Sequence, residues 1–195
     1  INMSLRDPSS DSASRHQSLE FLMTKMLEHA LIEIHGSSGS VMTYEPDNDI
    51  LRILASIGID HSIKNSIEIG PDSNAVSRKV FDTGHPIFVT DTDEMVAKTQ
   101  CRQHYYDPNS SGSFMSLPLI TIEGCQGVLN MNAAQSKQFR KVDFSYGILL
   151  ATSMGVIMSK YQSIGEPNSE EMEEMITEMA VVGYMRALAQ QNEWV

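Results

Sequence analysis

Two groups of residues have types and spacings that could do chemistry. The first lies between Thr90 and Gly112, in TDTDEMVAKTQCRQHYYDPNSSG, a stretch too long to be a simple connection. Cys101, His104 and Asp107 follow one another at three-residue spacing. On a helix they would share a face and offer sulfur, nitrogen and oxygen to a metal ion. The spacing is generic and no second ligand cluster accompanies it, which favours a surface thiol and a hydrogen-bonded imidazole. Tyr105 and Tyr106 can either stack on a planar ligand or pack into the protein.

The second group is a pair of amides, Asn130 and Asn132, in a segment that alternates as a strand. Residues 113–144 read as two apolar strands joined at Glu123-Gly124 and followed by a helix start. Phe114, Ser116, Pro118, Ile120 and Ile122 lie on one face of the first strand; Met115, Leu117 and Leu119 lie on the other. On the returning strand Asn130 and Asn132 flank the face that carries Val128, a surface expected to be largely buried. Buried amides need partners for their donors and acceptors, and a pocket holding a polar ligand or ordered water would supply them.

The elements that position these groups are legible upstream and downstream. Residues 1–13, rich in Ser and Asp, have the composition of a disordered segment. Ser14-Arg-His-Gln17 has capping-box spacing and predicts a helix start, with Leu19, Leu22, Met23, Met26, Ala30 and Ile34 as its stripe, Leu27 and Leu31 widening it and Gly36 ending it. A second helix is expected over about 72–82, with Asp72 or Ser73 as N-cap and Gly84 near its C-cap. A third, from about Val142 to Tyr161, is too apolar to face water on most sides. Residues 163–169 read as a linker. Beyond them, residues 170–195 predict an acidic amphipathic helix with Met172, Met175, Ile176 and Met179 on one face.

Bulk composition narrows the function class. The 195 residues are 41% hydrophobic and 20% charged, enough for one sizeable core. With 14 basic against 25 acidic residues the net charge is −11, which argues against direct nucleic-acid binding, because clustered Lys and Arg supply most of that affinity. Two cysteines form no disulfide framework and suit a reducing, cytoplasmic compartment. No signal-peptide pattern opens the chain, and no apolar run is read as reaching the roughly 20 residues that span a bilayer. The sequence begins at Ile1, which leaves room for an output domain outside it. There is no G-x-x-x-x-G-K, G-x-S-x-G or H-E-x-x-H, and the six histidines are scattered.

Taken together, the hairpin Gly39–Glu45, Pro46–Asp49 and Ile50–Gly58, the segment FDTGHPIFVTD, the strand SFMSLPLI, the string G-V-L-N-x-N and the following F-x-x-x-D resemble the GAF domain family over roughly residues 15–162. The resemblance implies an α+β fold: a six-stranded antiparallel sheet with terminal helices on one face and a loop-covered pocket on the other. It also implies that the terminal helices pair in a homodimer, which the apolar surfaces of the first and third helices fit.

The function this implies is a regulatory domain that binds a small molecule and transmits its state through the terminal helices, in signal transduction or transcription control. Phe114, Ser116, Asn130 and Asn132 from the strands, with Cys101, His104 and Tyr105 from the covering loop, are the expected ligand-binding residues; no catalytic or metal residue is assigned, and the cofactor is left open. An output domain or partner protein would receive the signal, with neither nucleic acid nor membrane bound directly. Particular branches fit less well. The cyclic-nucleotide signature N-K, F-x-x-x-D-E is met at Asn132, Phe139 and Asp143 but departs at Ala133 and Phe144; in the bilin branch His stands where Arg102 follows Cys101, and again at Asn132. The alternatives are a protein-interaction module with a vestigial pocket and, as an enzyme, a methionine sulfoxide reductase using Cys101 and Cys125.

Overall fold

The computed structural model describes residues 8–91, 112–164 and Thr177. The chain order is α1 (Pro8–Glu33), β1 (Ser38–Glu45), β2 (Ile50–Ile57), α2 (His61–Ser66), β3 (Glu68–Ile69), α3 (Val76–Thr83), β4 (Ile87–Val89), β5 (Ser113–Thr121), β6 (Gly124–Ala133) and α4 (Lys141–Ile164). Helix α1 begins before the capping box. Residues 8–13, read from composition as part of a disordered segment, are helical, because Pro8 at the first helical position has its φ already set and no amide to leave unpaired. The expected helix over 72–82 is shorter at its start. Ala75 is the N-cap of α3 without a side-chain cap, while Ser73 Oγ accepts from the Ala75 amide in the turn before it.

The six strands form one antiparallel sheet in the order β3-β2-β1-β6-β5-β4. Pro118 is tolerated within β5 because β4 pairs only with Phe114–Ser116, so the residue lies past the end of that neighbour and no ladder amide is missing there. On one face α1 and α4 pack in a core with Val41, Leu54, Met115, Leu117, Leu119, Leu129 and Met131. Helix α4 lies close on β5: a Cβ on Gly155 would come within 3.0 Å of the Leu119 carbonyl carbon. The opposite face carries a second core, built from Met42, Leu51, Ile69, Val76, Val80, Val89, Phe114 and Val128 under α3.

This arrangement changes the meaning of two sequence signals. The α1 stripe Leu19, Met23, Leu27, Ala30, Leu31 and Ile34 is spent on the chain's own sheet. What α1 leaves in solvent is Phe21 and Ile32, joined on α4 by Val142, Tyr146 and Leu149. The second is the length of apolar chain over 141–163, which proves long and apolar enough to cross a membrane, although none was counted in the sequence. Here it is mostly buried against the sheet, as a core helix is.

The F-x-x-x-D string also has a structural role. Phe139 is a core residue, and Asp143 reaches back from the first turn of α4 to accept from the Arg140 amide at 2.8 Å, one half of a capping box. Burial raises the Asp143 pKa, but hydrogen bonds and charge from Arg140 outweigh it and hold the carboxyl below its usual value.

Candidate functional site

Antiparallel register assembles a polar floor on the sheet face away from α1 and α4. Ser40, Asn130 and Ser116 stand opposite one another on β1, β6 and β5 in one row; Ser38, Asn132 and Phe114 form the next. Residues directly opposite in a ladder have side chains in reach of each other. The Asn130 carbonyl accepts from Ser116 Oγ at 2.7 Å and from Ser77 Oγ of α3 at 3.2 Å, while its amide donates to Ser40 Oγ at 3.3 Å. Asn132 donates to Ser38 Oγ at 3.1 Å. Asn130 is buried and Asn132 half-buried.

Of the seven residues expected to line a pocket, Phe114, Ser116, Asn130 and Asn132 are brought together. Phe114 sits in the second core beside Val76, Val80 and Val89. Cys101, His104 and Tyr105 lie outside the described residues, as does the acidic helix over 170–195 apart from Thr177, which is helical and exposed. Buried amides turn out to find partners within the chain. Ser38, Ser40 and Ser77 were missed because single serines carry no periodic signal. The parity of Ser38 and Ser40 in SSGSVMTYE, paired with that of Asn130 and Asn132, is the clue that points to them.

Helix α3 is fixed over this floor by one guanidinium. Arg78 is 7% exposed. Its Nε donates to both carboxylate oxygens of Asp82, at 2.9 and 3.1 Å, and one terminal nitrogen donates to the backbone carbonyl of Asp49 at 3.0 Å and to its carboxylate at 2.9 Å. The other terminal nitrogen lies 2.9 Å from Asp82 Oδ1. Burial lowers the Arg78 pKa, but the two carboxylates more than offset it and hold the cation above its usual value. Asp49 adopts a left-handed backbone (φ 51°) that short Asx side chains tolerate. Tyr44 Oη donates to Asp49 at 3.2 Å, and the Tyr44 ring lies 4.4 Å from that of Phe81. Burial and that bond push the phenol pKa up.

A separate crevice of about 450 Å³ lies at the other side of the β1–β2 turn, lined by Glu45, Pro46, Asp47 and Asn48 together with Tyr161 and Gln162 of α4 and His16 of α1. Gln162 donates to Thr43 Oγ1 at 3.4 Å beside it. Among the described residues no cluster of three metal-ligating side chains occurs. Cys125 is half-buried and donates to the Gly127 carbonyl at 3.2 Å. It pairs with Ile120 beyond a register shift in the β5–β6 ladder, so it does not keep the parity of Leu129 and Met131. Along β6 it is about 23 Å from Asn132, at the end of the sheet where residues 91 and 112 flank the Cys101 segment.

An open six-stranded antiparallel sheet with terminal helices on one face and α3 on the other places the chain in the α+β class. The chain belongs to the GAF domain family, whose model matches residues 16–159, and GAF domains are generally regulatory sensors. Solved structures share the fold at low identity. The GAF domain of an Acinetobacter phosphoenolpyruvate-protein phosphotransferase superposes with a TM-score of 0.64 at 13% identity, covering 80% of this chain and 95% of that one. The type II free methionine-R-sulfoxide reductase of Thermoplasma acidophilum gives 0.61 at 12%, covering 75% and 96%. A methyl-accepting chemotaxis protein gives 0.60 at 15%, covering 77% and 98%. No curated protein matches the chain.

Proposed function

We propose that this GAF domain is a cytoplasmic regulatory sensor: a small molecule binds over the floor of Ser40, Ser116, Asn130 and Asn132 and biases the terminal helices of a homodimer. The observation that carries the reading is the row of hydrogen-bonding side chains on the sheet face opposite those helices, with Asn130 buried at its centre. Cys101, His104 and Tyr105 belong to this proposal as the covering side. Five of the six large hydrophobics exposed among the described residues lie on α1 and α4, and pairing two copies would cover them. Ligand control requires only that the molecule prefer one helix arrangement over another. The signal would pass to an output domain or partner in signal transduction or transcription control.

A second reading is supported by a specific feature. Both acceptor sites of the Asn130 carbonyl are used by serines of the same chain, as they would be in a vestigial pocket of an interaction module. The reductase reading would need Cys101, outside the described residues, to reach Cys125, because disulfide exchange requires sulfurs in contact. Native mass spectrometry of the chain purified from cells separates these. A dimer mass with a bound small molecule supports the sensor; a bare monomer mass in repeated preparations overturns it in favour of the interaction module.

A further inference from the structure

We propose that α3 is a latch joining the polar floor to the exit of the terminal helices, with Ser77 as its ligand-responsive end and Arg78 as its transmitting end. The proposal deepens the sensor reading, although its mechanics belong to the unliganded protein. The two residues are neighbours on one short helix but reach in different directions. The Ser77 hydroxyl donates to Asn130 in the floor, while the Arg78 guanidinium uses all three nitrogens on Asp82 and on the turn residue Asp49. Tyr44 against Phe81, and Tyr44 Oη on Asp49, tie the same turn to α3 again.

That turn has two sides. Through Asp49 it is held to α3, and through Pro46, Asp47 and Asn48 it forms a wall of the crevice completed by Tyr161, Gln162 and His16, where α4 ends and near which α1 enters the domain. Anything that moves α3 therefore changes the packing at the exit of the helices.

The floor defines the ligand chemistry that would do so. Asn130 Oδ1 accepts two hydrogen bonds, from Ser116 within the sheet and from Ser77 above it, and the Ser77 contact is the longer. A ligand N–H or O–H, as in an amide or an alcohol, replaces Ser77 on that oxygen and releases α3. Among the described residues the floor itself is built from serines and asparagines, without an ionised group.

Amide hydrogen exchange on the whole chain, without ligand, tests the latch. Ser77→Ala removes one bond to Asn130 and leaves Arg78 and Asp49 untouched. It is expected to speed exchange over residues 47–50 at least threefold. Arg78→Lys, which keeps the charge but loses the fork, should speed the same amides and also those of α3. Ser116→Ala, which removes the other bond to the same oxygen from within the sheet, should leave 47–50 at the wild-type rate. The latch is refuted if Ser77→Ala leaves that turn unchanged, or if Ser116→Ala loosens it equally. These results do not depend on whether native mass spectrometry finds a ligand, so failure of the latch and failure of the sensor reading are separate.

Discussion

Replacing Asn130 with leucine tests whether the floor is a closed network of the chain's own making. Leucine keeps the branched skeleton of asparagine, with bulkier methyl groups in place of the polar atoms, so Ser116, Ser77 and Ser40 lose the partner they share. A neutral intramolecular hydrogen bond contributes about 0.5–1.5 kcal/mol net, and a buried group left without a partner costs about 1–3 kcal/mol. Ser116 is 0% exposed and bears the full penalty; Ser40 at 4% and Ser77 at 9% are the less deeply buried of the three. The sum is a loss of about 2–4 kcal/mol, partly offset by about 1 kcal/mol for burying leucine instead of an amide. With a urea slope of about 2 kcal/mol/M, the unfolding midpoint should fall by about 0.5–1.5 M at unchanged slope. Adding Ser116→Ala removes the stranded hydroxyl, so the double variant should recover about 1 kcal/mol relative to Asn130→Leu alone. An Asn130→Leu protein within about 0.5 kcal/mol of wild type would refute the argument, since the serines would not then depend on the amide.

Leu149→Asp places a charge on an exposed α4 position, 52% accessible, and should convert a dimer to monomer in sedimentation while leaving the urea midpoint unchanged; a monomeric wild type at tens of micromolar would end the homodimer proposal. Asp143→Asn should cost about 1 kcal/mol at pH 7 through the weakened cap. Because the folded carboxyl titrates below its unfolded value of about 4, its contribution is complete above that pH and fades as pH falls through the folded value, so wild type and variant should converge in urea titrations once the pH is below the folded value. Gly127→Ala would bring a Cβ to 1.9 Å from the Met42 carbonyl oxygen across the β1–β6 pair, and circular dichroism should show a melt lowered by the equivalent of at least about 2 kcal/mol.

The sequence by itself carried the elements whose signals are local. Alternation in 113–133, the turn at Pro46–Asp49 and the apolar length of 142–161 predict strands, hairpin and helix that the structure reproduces within a few residues, because period and turn chemistry are properties of neighbouring residues. It also placed Asn130 and Asn132 on one face, since side chains alternate strictly along a strand. What covers that face was a tertiary decision. Pairing β6 between β1 and β5 is what brings Ser40 and Ser116 to Asn130, and packing of α3 brings in Ser77 from 53 positions away. Arg78 carries no local signal of its role; only the docking of α3 beside the β1–β2 turn surrounds it with Asp49 and Asp82 and offsets the cost of its burial. The same holds for α1, whose apolar stripe read as a surface for a partner and is taken by the sheet instead, because a helix stripe states that something must cover it but not what.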